Sequence, residues 1–436
     1  MSRFPRLCAM AGAVALLLGS PSSGTAEVAP PKAALGTNFR ISGPRATADD
    51  FWAAAAWNET ANQYLVVWRD GRNEGISGAD IYGQRLAADG RRIGSNFRIS
   101  GPGATADERH PAVAWNRTSN RYLVVWSDGR NDGTSGTDIY GQILGPAGGT
   151  VGSNFRISGP GAEADEGSPA VAWNAKANRY LVVWVDERSA ADHGTDIYGQ
   201  ILGPAGGRVG SNFRISGSDV KADESSPAAA WNAQANRYLV VWEDNRDPVA
   251  RGLDIYGQIL GPAGGRVGSN FRISGPVATD SEYSPAVAWN QTANRYLVVW
   301  EDYRNQEPRG TDIYGQILGP AGGRVGSNFR VSGRHATSDE CDPAVAWNRT
   351  ANRYLVVWED WRSYESRGSD IYGQILGPAG GRVGSNFRVS GPDARLNEYG
   401  PAVAWNGTAN QYLVVWDDQR DQTPRGSDIY GQRLTG

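Results

Sequence analysis

The chain has 436 residues, a formal net charge of −3, 57 glycines and 16 tryptophans against two cysteines and three histidines. A slightly acidic balance leaves no electrostatic footprint for nucleic acid, and two cysteines cannot furnish a disulfide framework. Only three of the 43 basic residues are lysine, a bias that favours planar, bidentate pairing of arginine with carboxylates.

Residues 1–26 carry Arg3 and Arg6, an apolar run "LCAMAGAVALLLG" and small residues ending at Thr25-Ala26. This is the layout of a secretory signal peptide, so the mature chain is expected to be secreted, extracellular or periplasmic. No later stretch approaches the roughly 18 apolar residues of a membrane span. Cys8 falls inside the leader, stability is therefore expected to come from packing, and Cys341 is read as an inert loop thiol. Residues 27–36, "EVAPPKAALG", read as a flexible lead-in.

From residue 37 to 436 the sequence is one repeated unit. Trp57, Trp115, Trp173, Trp231, Trp289, Trp347 and Trp405 recur every 58 residues, and so do Trp68, Trp126, Trp184, Trp242, Trp300, Trp358 and Trp416. Each unit holds four runs rich in β-branched and aromatic residues: strand A "AVAWN", strand B "RYLVVW", strand C "DIYGQIL" and strand D "VGSNFRIS". No run has helical periodicity. Asn and Gly in "WNRTANRY" and "LGPAGGRVG" suit tight A–B and C–D turns. The recurring "N-x-T" is read as part of that turn, because Asn174 and Asn232 stand without the threonine.

Four-stranded units repeated around an axis predict an all-β, seven-bladed β-propeller of antiparallel blades. The repeat opens with a lone strand D, "TNFRISG", and closes with A, B and C lacking D. Phe39 to Ser42 should therefore pair with the strand around Tyr430, closing the ring and leaving no long unpaired edge. The fourteen periodic tryptophans are assigned to packing, since burying an aromatic is worth roughly 4–6 kcal/mol as an upper figure.

Alternating strand direction puts the B–C and D–A loops on one end and the A–B and C–D turns on the other. The turns hardly change between copies while the loops vary, and variable loops on a rigid frame are where binding resides. Charges recur there: Asp128, Arg130 and Asp138 in blade two, Asp302, Arg304 and Asp312 in blade five, Asp360, Arg362 and Asp370 in blade six. Each arginine is expected to fork between carboxylates and brace its loop. No cofactor is required by this reading. Should the carboxylates instead hold a metal, Ca²⁺ is the ion they suit. Aromatics gather on blades five to seven, namely Tyr283, Tyr303, Trp361, Tyr364 and Tyr399, beside Glu282, Glu340 and Glu398. Flat aromatics next to carboxylates fit sugar rings, and these eight residues are the candidate ligand-binding set. His110, His193 and His335 lie in loops without metal-ligand spacing and are read as solvated. The turn end, with Arg121, Arg179, Arg237, Arg295 and Arg353, should be basic and able to rest on an anionic surface.

At "VAWN…YLVVWxDxR…DIYGQ" the chain resembles the repeats of secreted bacterial seven-bladed β-propeller proteins, with a "DIY" step similar to TolB-type blades. It also resembles propeller lectins in its near-identical blades, and more weakly the sialidase-class propellers, whose S-x-D-x-G-x-T-W order is absent. These resemblances imply a non-catalytic, multivalent, lectin-like carbohydrate binder, monomeric, with glycans or a cell-surface polymer as partner. A protein-interaction platform and a sialidase-like glycan hydrolase are the alternatives. Catalysis ranks last because an active site needs groups in asymmetric roles, and seven near-copies of one loop offer little asymmetry.

Overall fold

A computed structural model describes residues 34–436 apart from positions 44–47, 102, 104, 160, 162, 218–221, 248–251, 276–279, 307–309, 334–337 and 423–425. The leader, Cys8 and His335 lie outside the described residues. The strands form seven four-stranded antiparallel sheets, each in the sequence order A-B-C-D. The expected propeller is present. Strands A of successive blades neighbour one another around the axis, including those of blades one and seven, so A is innermost and D outermost.

Strands are longer than the periodic runs suggested. In blade four, A spans Glu224–Asn232, B Arg237–Asp244, C Asp254–Leu260 and D Arg266–Arg272. The register brings Glu224, Asp244 and Asp254 side by side across A, B and C. Tyr256 lies opposite Arg272 on the outer strand. The same rows recur in every blade, so the acids read as loop residues sit on strand ends. The B–C loops hold single helical turns, such as Tyr364–Arg367.

Both faces of strand B are buried, because each blade packs on the next. Leu181 and Val183 of blade three meet Tyr238, Val240 and Trp242 of blade four in one cluster. The strand-B tryptophans are fully buried. The strand-A tryptophans differ from the expectation, being only half-buried. They face one another around the axis at the turn end, with Trp173 to Trp231 centroids 6.5 Å apart and Trp231 to Trp289 6.4 Å apart. The asparagines after them are buried and bridge blades, Asn116 Nδ2 donating to Asn178 Oδ1 at 2.9 Å and Asn290 Nδ2 to Asn352 Oδ1 at 2.9 Å. The turn reading of "N-x-T" therefore stands.

Ring closure follows the sequence expectation. Phe39 pairs with Gly431 and Arg40 with Tyr430, and Ile41 is buried between blades seven and one. Arg40 forms an ion pair with buried Asp428, and Ser42 Oγ donates to the same carboxylate at 3.0 Å. The seam copies the other joints. Gly206, at φ +88°, lets a C–D turn lie on the Phe155 ring of the preceding blade, where a Cβ would come within 2.5 Å. Gly90 does the same for Phe39, so the terminal strand docks like any other strand D.

Candidate active site in the upper channel

The repeated charges brace the frame, and in blades three, six and seven the arginine reaches the strand-A glutamate as well as its aspartate, Arg362 Nη2 lying 3.6 Å from Glu340 Oε1 and Arg420 Nη2 3.8 Å from Glu398 Oε1. Arg130 grips Asp128 alone, Nε to Oδ1 at 2.7 Å and Nη2 to Oδ2 at 2.5 Å, while Trp126 Nε1 donates to Oδ2 at 2.8 Å. The guanidinium lies 4.1 Å over the Tyr140 ring, a cation–π contact. Arg304 on Asp302 and Arg362 on Asp360 repeat this geometry over Tyr314 and Tyr372. Asp138, Asp312 and Asp370 are paired instead by Arg156, Arg330 and Arg388 of strand D. The "NFRIS" arginine thus has a role the sequence reading missed. Each bracing aspartate is therefore already charge-paired. Among the described residues no group of three or more His, Cys, Asp or Glu side chains is arranged to hold a metal ion.

Glu282, Glu340 and Glu398, expected to meet a ligand, are fully buried between blades. Glu398 Oε2 accepts the Ile371 N–H of the neighbouring blade at 3.2 Å. Burial, with help from the adjacent aspartate, pushes Glu282 up to about 9 and Glu398 up to about 8, and holds Glu340 well above the carboxylate range. Glu108, Glu166 and Glu224 also rise to about 8, chiefly through burial. They are blade-joint residues.

The chemistry gathers one step further in, at two positions outside the candidate set. Each strand A bulges at its third residue, where φ is 48–59°: Trp52, His110, Ser168, Ser226, Ser284, Asp342 and Gly400. In blades four, five and seven the residue before the strand-B aspartate reaches the next blade's bulge. Around the ring it reads Arg69, Ser127, Val185, Glu243, Glu301, Glu359 and Asp417. Glu243 Oε1 accepts the Ser284 N–H at 2.8 Å and Asp417 Oδ2 accepts the Trp52 N–H at 2.9 Å, across the seam. Glu301 accepts the Asp342 N–H. Satisfying bulge amides is the structural duty of these acids, and in blades four to seven it brings them together.

Asp342 is the centre of this group. It is exposed, and Ser284 Oγ donates to its Oδ1 at 2.9 Å. Glu301 rises to about 8, first through burial and next through the Asp342 charge. Glu359 is held well above the usual range by the same two causes in the same order. Asp417 rises to about 8 by burial, against the bulge amides it accepts and with added repulsion from Asp342. An exposed acid beside carboxyl groups held above their usual range is a grouping suited to acid–base work.

The aromatic candidates stand behind these acids. Tyr303 hydrogen-bonds Glu301 and meets the Tyr283 ring edge-on at 5.1 Å. Trp361 stacks on Tyr364 at 4.5 Å and packs with Cys341 and Tyr399, and Tyr399 is pushed up to about 12 by burial and Glu359. Trp361 is 7% exposed, so it is packing. Tyr283 and Tyr399 belong to strands A (Glu282–Asn290 and Glu398–Asn406), not to loops. Cys341 is likewise a buried strand residue, not a loop thiol. His110, expected to be solvated, is half-buried on strand A with its ring 4.1 Å from Trp52. Burial first, then Arg109 and Arg69, push it down to about 4, so it is neutral. A cleft of about 430 Å³ at the outer seam, bordered by Phe39, Arg91 and Arg433, is remote from this group.

No protein-family model and no curated protein matches the chain in sequence. Solved structures of similar fold include an α-L-arabinofuranosidase of Fusarium graminearum in complex with arabinobiose (TM-score 0.51, 11% identity, covering 92% of this chain and 98% of that one). Penicillium chrysogenum α-L-arabinanase with arabinobiose gives TM-score 0.53 and 12% identity at the same two coverages. A puromycin hydrolase gives TM-score 0.53 and 12% identity over 88% of this chain and 53% of that one. At such identities the likeness is one of fold, and the TolB-type, lectin and sialidase likenesses gain no support from it. The expectation of a non-catalytic, lectin-like protein is corrected. Chains sharing the ring from end to end are an arabinofuranosidase and an arabinanase. The premise of missing asymmetry also fails at the channel lip, where the seven blades carry different groups.

Proposed function

We propose that the protein is a glycan-active hydrolase working at the upper channel. The observation that carries this reading is exposed Asp342 ringed by Glu301, Glu359 and Asp417, all held above the usual carboxylate range. Glycoside hydrolysis needs one carboxylic acid and one carboxylate flanking the scissile bond. In this reading Glu301, protonated below about 8, gives its proton to the leaving-group oxygen as the glycosidic C–O bond breaks. Exposed Asp342 faces the positive charge that develops at the anomeric carbon. Water then adds there, and its proton returns to the carboxyl group that gave one up. Ser284 fixes the Asp342 carboxylate and Tyr303 the Glu301 carboxyl. The arabinobiose complexes of two proteins with this fold support a sugar as the channel ligand.

The test is turnover of a panel of 4-nitrophenyl glycosides, α-L-arabinofuranoside included, and of arabinan. Hydrolysis should be lost in Asp342→Asn and Glu301→Gln with folding retained. A panel untouched by the wild-type chain, or activity surviving both changes, overturns the reading.

A further inference from the structure

The lip of the channel is two-sided. Blades four to seven supply acids, whereas blades one and two supply Arg69, Trp52 and the neutral His110. Arg69 occupies the position that holds Glu243, Glu301, Glu359 and Asp417 elsewhere, yet a guanidinium has no acceptor to offer the bulge amide of the next blade. That amide bond is therefore no reason for an arginine there. Arg69 is 8% exposed, and its Nε is buried with no hydrogen-bond partner. An unsatisfied buried donor on a charged group is costly unless something completes it. Its Nη2 holds Glu74 Oε1 at 3.0 Å, and Glu74 is 54% exposed. An ion pair with so solvated a partner is weak and exchangeable. Arg109, the neighbouring cation, is already held by Asp107 at 2.6 Å. The Arg69 guanidinium carbon lies 5.8 Å from the Trp52 ring, which meets His110 at 4.1 Å with the two planes tilted by 36°. Together they make an aromatic patch with a cation at its edge.

We infer that the substrate is an acidic glycan, whose carboxylate-bearing residue stacks on Trp52 and His110 and pairs with Arg69 while the bond to be cut faces Asp342 and Glu301. This rests on the upper channel being the glycan site. The opposed charges orient such a chain, since its carboxylate is repelled from Asp342 and drawn to Arg69. A neutral glycan gains no charge pairing from Arg69.

The experiment uses Glu301→Gln chain and labelled oligosaccharide pairs that differ only in glucuronate against glucose, or galacturonate against galactose. Calorimetric titration should show the uronate member binding about 10- to 100-fold more tightly, the range of a charge-assisted hydrogen bond. Arg69→Met should bring the pair within about twofold, Arg69→Lys should keep part of the preference, and Glu74→Gln should enlarge it by freeing the guanidinium. Equal affinity for both members, or a preference that survives Arg69→Met, overturns the inference. Turnover by the wild-type chain separates this from the hydrolase reading. Neutral glycosides cleaved with no uronate preference remove the inference alone, whereas an Arg69-dependent preference without turnover of any glycoside removes the hydrolase reading and keeps the acidic ligand.

Discussion

The two ends of the central channel are built by the same nine-residue strand and differ completely. At the turn end seven tryptophans, one per blade, face the axis in equivalent positions, with Trp289 and Trp347 centroids 6.5 Å apart like their neighbours. Five residues back along the strand, the bulge position reads Trp, His, Ser, Ser, Ser, Asp and Gly around the ring. The strand-B position that reaches it reads Arg, Ser, Val, Glu, Glu, Glu and Asp. A tryptophan that fills the ring cannot change in one blade without leaving a hole in two others. A lip residue need only tolerate a positive φ, or satisfy one amide, so its side chain is at liberty to diverge. Asymmetry therefore concentrates where structural obligation is lightest, and chemistry becomes feasible in a ring of copies.

The sharpest way to break this contrast is to open the ring. Deleting residues 34–43 removes buried Ile41 and takes Arg40 and Ser42 from Asp428. The cost should be about 5 kcal/mol or more, seen as a fall of roughly 6 °C or more in Tm by calorimetry. A Tm unchanged by the deletion would deny the seam its role. At the lip, Glu301→Gln and Asp342→Asn should each lower kcat by about 10²–10⁴-fold, with little loss of Tm, since the amide of each variant keeps an oxygen to accept the hydrogen bonds made by the carboxyl group. Asp128→Ala should do the reverse. It strands Arg130 and Trp126 Nε1, costing about 2–4 kcal/mol in urea unfolding, with kcat within a few-fold of wild type.

Titration separates the regions again. Glu108, Glu166, Glu224 and Glu398 have folded values of about 8 against ordinary values of 4.5, so the folded chain holds more protons than the unfolded one between those limits. Stability is fully present below about 4.5 and should decline as pH rises toward 8, as Tm measured across that range will show. Glycan turnover should persist up to about 8 and then fall about tenfold per pH unit as Glu301 loses its proton. The smallest expected effect is at Ser284→Ala, which deletes one exposed hydrogen bond to Asp342. It should cost about 1 kcal/mol or less in stability and reduce kcat by a few-fold in steady-state assays.

The ring, its strand order and its seam were legible because they rest on what repeats: the 58-residue interval of Trp57 and its successors, and the lone strand D around Phe39. The bracing of Asp128 by Arg130 was legible for the same reason. The site was less so. Variation was sought in the loops, yet Asp342 and Glu301 lie on strands A and B (Glu340–Asn348 and Arg295–Asp302). Within "VVWxD" the single changing letter carries the acids of the lip. Listing that letter blade by blade reveals four successive acids, a pattern visible before any coordinates. What no list reveals is the bulge, which swings Asp342 to the axis while its neighbour Glu340 turns into the blade joint. The tyrosines at 283, 303 and 399 were found, but as backing for acids that had not been recognised.

The seam also sets the order in which the molecule can be made. Phe39 meets Gly431, nearly the whole chain later, so six blades can assemble in turn during synthesis while the first strand waits without a mate. Until the last thirty residues have emerged, that strand and the incomplete seventh sheet are two complementary sticky edges on one molecule. Exchange between neighbouring nascent copies is then the natural failure of this architecture, and dilution or slowed production should improve the yield of closed rings.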